Sequence, residues 1–468
     1  TGSGFVMGLA MASYEFASAI ILIFVGKYFL PIFIKKQIYT MPQFLERRYN
    51  RSVRSILAVF WLMVYIFVNL TSILYMGALA IHIVLDIPLL YGVAILAIVA
   101  VLYSIYGGLM AVAWTDILQV VLLIGGGVLT TYLALNIVSD GQGILAGLKT
   151  LYKAAPEKFH MVFSQEDPHY QEIPGMFGII FGIIIVANSF YWGFNQYTIQ
   201  RALGAKNIRQ AQHGVMFAGY LKLVMPILVV LPGMAAYVIL NDPELSARIG
   251  HENLVNVPTM QQADKAYPWL LGLLPKGLKG LAFAALCAAI VSSLASMINS
   301  TATIFTIDIY QQFINKEAVE RQKVKVGRIV AFSALLIACF IAPALKTLDQ
   351  AFMYIQEFTG FVSPGIVSIF LLGLFWKRTT SSAAISMGVI SILLSIVGYV
   401  WMPWMPFLNR MGYVWMISMA SGIFISVLES KTNHPKGIDI EKGMFRTSPV
   451  FNIAAIGILV TLSVFYVV

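Results

Sequence analysis

The sequence predicts an all-α polytopic membrane protein. Of its 468 residues 59% are hydrophobic, and only 11% are charged against roughly 25% in soluble domains. The apolar residues also fall in runs long enough to cross about 30 Å of hydrocarbon. No ATP-binding GxxxxGK[ST] loop, HExxH pair, GxSxG elbow or 20 to 50 residue repeat interrupts them.

About twelve spans are expected. The first, 5–34, begins at TGSGF and ends at Lys35 and Lys36; the second, 53–84, follows Arg51 and Arg54. IPLLYG separates the second from 88–106, and YGG at 106–108 separates that from 109–138. The rest are expected at 174–203, 209–240, 278–313, 325–345, 360–376, 380–402, 411–428 and 450–468. The loops 139–173 and 241–277 mix charges with Pro, Gly and aromatics, and are expected to cap the bundle on the outside.

The net charge of +10 is an orientation signal, because the basic residues gather in alternate loops. Lys35, Lys36, Arg47, Arg48, Arg201, Arg209, Lys316, Arg321, Lys377, Arg378, Lys436 and Arg446 all fall on one side, which is therefore expected to be cytoplasmic. Both ends of the chain then face outward. No nucleic-acid partner is expected. Cys287 and Cys339 lie inside apolar spans without a CxxC or His cluster and read as small reduced core residues. No charged n-region with a cleavage site opens the sequence, so no removable signal peptide is expected. Asn69-Leu70-Thr71 matches a glycosylation acceptor but lies within a span and is set aside.

Against this background the polar residues inside spans are informative. Lys222 has about a dozen apolar or small residues on each side before another charge, and an ionised group near mid-bilayer costs roughly 2.5 to 3.5 kcal/mol on insertion scales. Glu15 and Ser18 share a helix face. Asn188, Tyr191 and Asn195 repeat at three and four, with Trp192 beside them. Donors, acceptors and aromatic surface together suit a sugar, whose hydroxyls need hydrogen bonds while its ring face prefers an aromatic plane. Taken singly, Asn and Ser are more often glue between helices.

Ala289, Ser292, Ser293, Ser296, Asn299, Ser300 and Thr303 form a small, hydroxyl-rich stripe. Neutral oxygens of this kind can replace the water shell of a monovalent cation, but the spacing alone fits a close-packed helix interface better. Asp116, just inside the fourth span after Gly107 and Gly108, fits an ion relay or a helix cap equally.

YGGLMAVAWTDILQ, YWGFNQYTIQRALGAKN, AAIVSSLASMINSTATIFTIDIY, YIQEFTGFVSPG and GLFWKRTTSSAA together resemble the sodium/solute symporter family, along essentially the whole chain. The resemblance implies a leucine-transporter-type bundle of two inverted five-helix repeats, with sites near mid-membrane at their interface. The first repeat, incomplete, occupies about 1–138, the second about 174–376, and additional helices 380–468. The family has fourteen spans, so two are expected to lie before residue 1. The resemblance assigns sugar contact to Glu15, Ser18, Asn188, Lys222 and Gln356, and an inner gate to Tyr191 with Trp192 adjacent. It assigns Na+ to the Ala289 carbonyl and the Ser292 and Ser293 hydroxyls, and ion exit to Asp116. The expected function is Na+-coupled import of a galactose- or glucose-type hexose across the inner (plasma) membrane, without enzymatic chemistry or an organic cofactor. Expected partners are the sugar, Na+, the lipid bilayer and, as an open question, a second copy of the chain. Proline, an inositol, a sialic acid or a vitamin is the alternative solute, and a sugar sensor or leak the alternative class.

Overall fold

The computed structural model describes residues 1–38, 40–250, 254–347 and 351–467, with the side chains of 105–116, 118, 347 and 467 outside that description. In chain order its principal helices are α1 (Gly2–Lys35), α2 (Met41–Arg48), α3 (Arg51–Leu85), α4 (Leu89–Val138), α5 (Gly175–Phe194) and α6 (Gln196–Leu203). These are followed by α7 (Ile208–Asn241), α8 (Lys276–Ile314), α9 (Glu320–Lys346), α10 (Ala351–Gly360) and α11 (Ser363–Phe375). The chain finishes with α12 (Ser381–Trp401), α13 (Phe407–Glu429) and α14 (Pro449–Val467). Among the described residues the one β contact is an isolated bridge between Phe163 and Pro174.

Among the described residues ten helices are long and apolar enough to cross a membrane, or eleven if α10 and α11, bent by 51°, form one span. The difference from the expected twelve lies at YGG. There α4 continues for 50 residues as a single helix, because a glycine in a helix interior costs only about 1 kcal/mol and does not by itself end it. The span expected over 174–203 stops at Phe194, and α6 follows as a separate short helix. The two expected caps contain short helices, among them Ile144–Ala154 in the first and Ala266–Gly272 in the second. Cys287 and Cys339 are unpaired and half-buried rather than in the core.

Two compact units divide the chain: residues 1–12, 62–161 and 225–355, and residues 13–61, 162–224 and 356–468. Three of the crossings fall where a long helix is irregular. One follows the 3₁₀ turn Gly8–Met11, one precedes the π-helical stretch Val64–Leu70, and one precedes Pro226.

In the first unit α8 packs along α4 and α3, and small residues set the approach. A Cβ on Gly77 would stand 2.7 Å from Leu96 and 2.8 Å from Ile290. The first turns of α1 end at Gly8, whose φ of 66° is the left-handed conformation that favours glycine. The buried Lys158 ammonium donates to the Val6 carbonyl at that break and lies 4.3 Å from the Tyr237 ring centre.

In the second unit Phe29, Phe194, Phe370 and Phe44 stack in a column, with successive ring centres 4.9, 4.6 and 4.9 Å apart. Beside it Arg48, 1% exposed, closes the C-terminus of α11. Its Nε donates to the Gly373 carbonyl at 2.9 Å and its Nη2 to those of Trp376 and Lys377 at 3.0 and 3.3 Å. These carbonyls have no helical partner, and the helix dipole also favours a cation there. The segment 430–448 then straps this end. Lys436 Nζ donates to the Tyr49 carbonyl at 2.9 Å, the His434 amide to the Lys377 carbonyl at 3.0 Å, and Asp439 pairs with Lys377.

Arg48→Ala should lower the apparent Tm in detergent, by a loss of about 3 kcal/mol, with Arg48→Lys recovering only part because a point donor cannot reach several carbonyls. An unchanged Tm contradicts the cap. A second expectation concerns pH. Burial first, then the Arg48 and Lys436 cations, holds the His434 ring below its ordinary value near 6.5, and its Nδ1 accepts from the Lys436 amide at 3.1 Å. The unfolded strap therefore binds the proton more readily. Its stability is full above about pH 6.5 and is lost as pH falls. Proteolysis of the strap in inside-out vesicles should be faster at about pH 5.5 than at about pH 7.5, still above the carboxylate range. His434→Gln should remove the difference; equal rates in the wild type would contradict it.

Candidate functional site

Tyr14, Glu15 and Ser18 lie on the regular α-helical stretch Ala12–Phe24 of α1. Facing them is α5, which is π-helical from Gly178 to Phe194. Its wider turn shows in Asn188, whose Nδ2 donates to the carbonyl of Ile183, five residues back, at 3.0 Å. This turns Oδ1 toward α1, where it lies 2.6 Å from Ser18 Oγ. The Ser18 hydroxyl is also 2.9 Å from the Tyr14 carbonyl, so one proton serves two acceptors.

Lys222 lies on α7, four residues before Pro226. Its Nζ donates to Glu15 Oε2 at 2.6 Å, and the two side chains are 22% and 24% exposed. The ammonium is 5.2 Å from the Trp192 ring centre, a cation–π distance. Trp192 in turn meets Tyr191 edge-on, with ring centres 5.2 Å apart at 79°. Tyr191 is 43% exposed, with Arg201 and Glu15 in electrostatic reach. Gln356, on α10, comes within electrostatic reach of the buried Tyr14 phenol.

Glu15, Ser18, Asn188, Tyr191, Trp192, Lys222 and Gln356 thus fall in one compact unit. Asn195 does not join them. α5 does not keep α-helical periodicity, and Asn195 lies beyond its end, where its side chain accepts from the Tyr197 amide at 3.1 Å as the cap of α6. Tyr14 is the residue that spacing missed: it precedes Glu15 and is four residues from Ser18, yet a Tyr in an apolar run reads as core. The cluster offers an anion, a cation, an amide and a hydroxyl beside an indole, a set able to hold a polyhydroxylated ring by several hydrogen bonds.

Ala289, Ser292 and Ser293 fall in the other unit, on the α-helical part of α8, Lys276–Ile304. Ser292 is buried and Ser293 half-buried. Further along the same helix two hydroxyls bond to its own backbone and one amide meets α4. Ser300 Oγ donates to the Ser296 carbonyl at 3.0 Å and Thr301 Oγ1 to that of Met297 at 2.8 Å, while Asn299 Oδ1 accepts from Ser104 at 2.9 Å. Neutral oxygens suit a hard monovalent cation. The Asp116 side chain lies outside the described residues.

Residues 1–391 match the profile of the Sodium:solute symporter family. Over 468 residues the chain is 53% identical to the sodium/glucose cotransporter of Vibrio parahaemolyticus, covering 100% of this chain and 86% of that protein. It is 36% identical over 416 residues to the sodium/myo-inositol cotransporter 2 of Mus musculus, covering 85% of this chain and 60% of that protein. A solved structure of a Na+-coupled sialic acid symporter, substrate-bound and outward-open, matches with a TM-score of 0.77 at 21% identity, over 92% of this chain and 85% of that one. This likeness shows the fold, a leucine-transporter-type helical bundle.

The Glu15–Lys222 pair makes a prediction for the unliganded protein. Removing one partner strands a part-buried charge, so Glu15→Gln and Lys222→Met should each lower stability by about 1–2 kcal/mol, less than for a fully buried pair. The double variant should be more stable than either single one, as measured by thermal unfolding in detergent. Simple additivity of the two losses contradicts the pairing.

Proposed function

We propose that this chain, which belongs to the sodium:solute symporter family, imports a hexose of the galactose or glucose type together with Na+ by alternating access. The observation that carries the reading is the Glu15–Lys222 pair at 2.6 Å beside the Trp192 ring. A sugar hydroxyl donates to Glu15 and accepts from Lys222, so a ligand exchanges one ion pair for charge-assisted hydrogen bonds to both groups. The indole takes the apolar ring face. Ser18, Asn188 and Gln356 address the remaining hydroxyls, and Tyr191 with Trp192 forms the inner gate.

Na+ is the co-transported ion of this family. We assign it to the Ala289 carbonyl and the Ser292 and Ser293 hydroxyls, with Asp116 on its way out. Sodium binding favours the sugar-accepting state, and by reciprocity sugar tightens sodium. A membrane potential adds about 2.3 kcal/mol per charge per 100 mV, which favours inward movement at the inner (plasma) membrane. In this reading the first inverted repeat runs to about residue 138 and the second over about 174–376. A second substrate, myo-inositol, is favoured by the Mus musculus relative that is named for it, and presents the same ring of hydroxyls.

Uptake of labelled galactose into vesicles from cells expressing the protein should be stimulated by an inward Na+ gradient but not by K+, and competed by glucose more than by myo-inositol. Lys222→Ala should abolish uptake while protein remains in the membrane. Ser293→Ala should weaken the Na+ dependence about ten-fold or more with the sugar site intact. Normal uptake by Lys222→Ala contradicts the sugar site, and an unaltered Na+ response of Ser293→Ala contradicts the ion site.

A further inference from the structure

Gln356 is carried by a short helix held at its N-terminal half, where the Ala351 amide donates to Asp264 Oδ2 at 2.8 Å and the Tyr354 phenol lies 3.4 Å from the Phe67 carbonyl. α10 spans ten residues, about 15 Å, and only Phe361 and Val362 join it to α11, from which it is bent by 51°. Such a break uncouples the C-terminal turn of α10, which carries Gln356 and Glu357, from α11. Gln356 and Glu357 are consecutive on α10, about 100° apart around the axis, so a tether on Glu357 bears directly on the direction of Gln356.

Glu357 is held by Arg410. Nη2 of Arg410 lies 2.8 Å from Glu357 Oε1, and the two side chains are 13% and 31% exposed. The same guanidinium serves the end of α12: Nη1 donates to the Gly398 carbonyl at 3.1 Å and lies 3.5 Å from that of Met402. Tyr399 lies against it, with its ring centre 5.8 Å away. Phe361, Phe407 and Met411 line a half-open cavity of about 20 Å³ beside the pair, room for roughly one water. Arg410 thus ties α10 to the α12–α13 hairpin through a rigid planar fork, which a flexible lysine does not reproduce.

We propose that Arg410 is a positioning residue for sugar binding: through Glu357 it fixes the rotation of α10 and so the direction from which Gln356 meets the ligand. The inference rests on Gln356 being a sugar contact. The two functions of Arg410 are separable, because Nη1 caps α12 while Nη2 holds Glu357. Glu357→Gln therefore weakens the tether without touching the cap.

The test is Na+-driven uptake of labelled galactose into vesicles, with KM and Vmax measured for the wild type, Glu357→Gln, Arg410→Gln, Gln356→Ala and the double variant of Glu357→Gln with Gln356→Ala. Glu357→Gln should raise KM about ten-fold, equivalent to roughly 1.4 kcal/mol, with Vmax per folded protein nearly unchanged. In the Gln356→Ala background the same change should raise KM less than about two-fold, since the residue it positions is gone. Arg410→Gln should match Glu357→Gln; if it does not fold, Glu357→Gln and its double variant carry the test. An unchanged KM in Glu357→Gln overturns the inference, and so does a ten-fold rise that persists without Gln356. Absence of Na+-driven galactose uptake by the wild type overturns the sugar reading and this inference with it, whereas normal wild-type uptake with unshifted variants overturns this inference alone.

Discussion

The ion pair between Glu15 and Lys222 is the constraint around which the site is built. Neither charge is tolerable alone in so apolar a setting, where an ionised side chain near mid-bilayer costs roughly 2.5 to 3.5 kcal/mol. Their pairing at 2.6 Å therefore sets which face of α1 meets which face of α7. Both remain about a quarter exposed, so the pair is neither sealed nor solvated. That intermediate state suits a ligand site, because hydroxyls can take over part of the hydrogen bonding when the two groups separate.

The same demand, that no polar group be left without a partner, shapes the surrounding helices. Arg48 closes the end of α11, Arg378 that of α13, and Lys158 the first turns of α1, each by donating to carbonyls near a helix end, while Arg410 adds a second donor to the Gly398 carbonyl of α12, which already accepts the Met402 amide. A basic residue at a helix end is thus both an orientation signal and a structural cap. The π-helical geometry of α5 is a second device. It spends the Asn188 amide on a carbonyl five residues back and so aims the other end at Ser18.

Much of this was legible in the sequence because the relevant signals are rare. An isolated lysine in an apolar run calls for a partner, which Glu15 supplies, and the spacing of Glu15 and Ser18 puts both on one helix. Periodicity misleads where the helix changes type: α5 is π-helical over Gly178–Phe194, so Asn195 lies beyond its end and caps α6. YGG was read as a turn because glycine is both a helix breaker and a tolerated interior residue. Spacing does not separate a cation site from a helix interface along the serine stripe on α8, where Ser300 bonds within the helix and Asn299 meets Ser104. Gln356 was reached only through the family resemblance. Tyr14 and Arg410 were missed, since a buried Tyr looks like core and an Arg near a span end looks like topology.

The most direct test of the central claim is the emission of Trp192, which lies 5.2 Å from the Lys222 ammonium. Galactose should be titrated into the protein in Na+ and in K+, with Trp192→Phe subtracted to isolate this indole among the eight tryptophans. A saturable change in Na+, weak in K+ and absent from Glu15→Gln, is the predicted result. A galactose signal that survives in Trp192→Phe, or that ignores both Na+ and Glu15, would contradict the account.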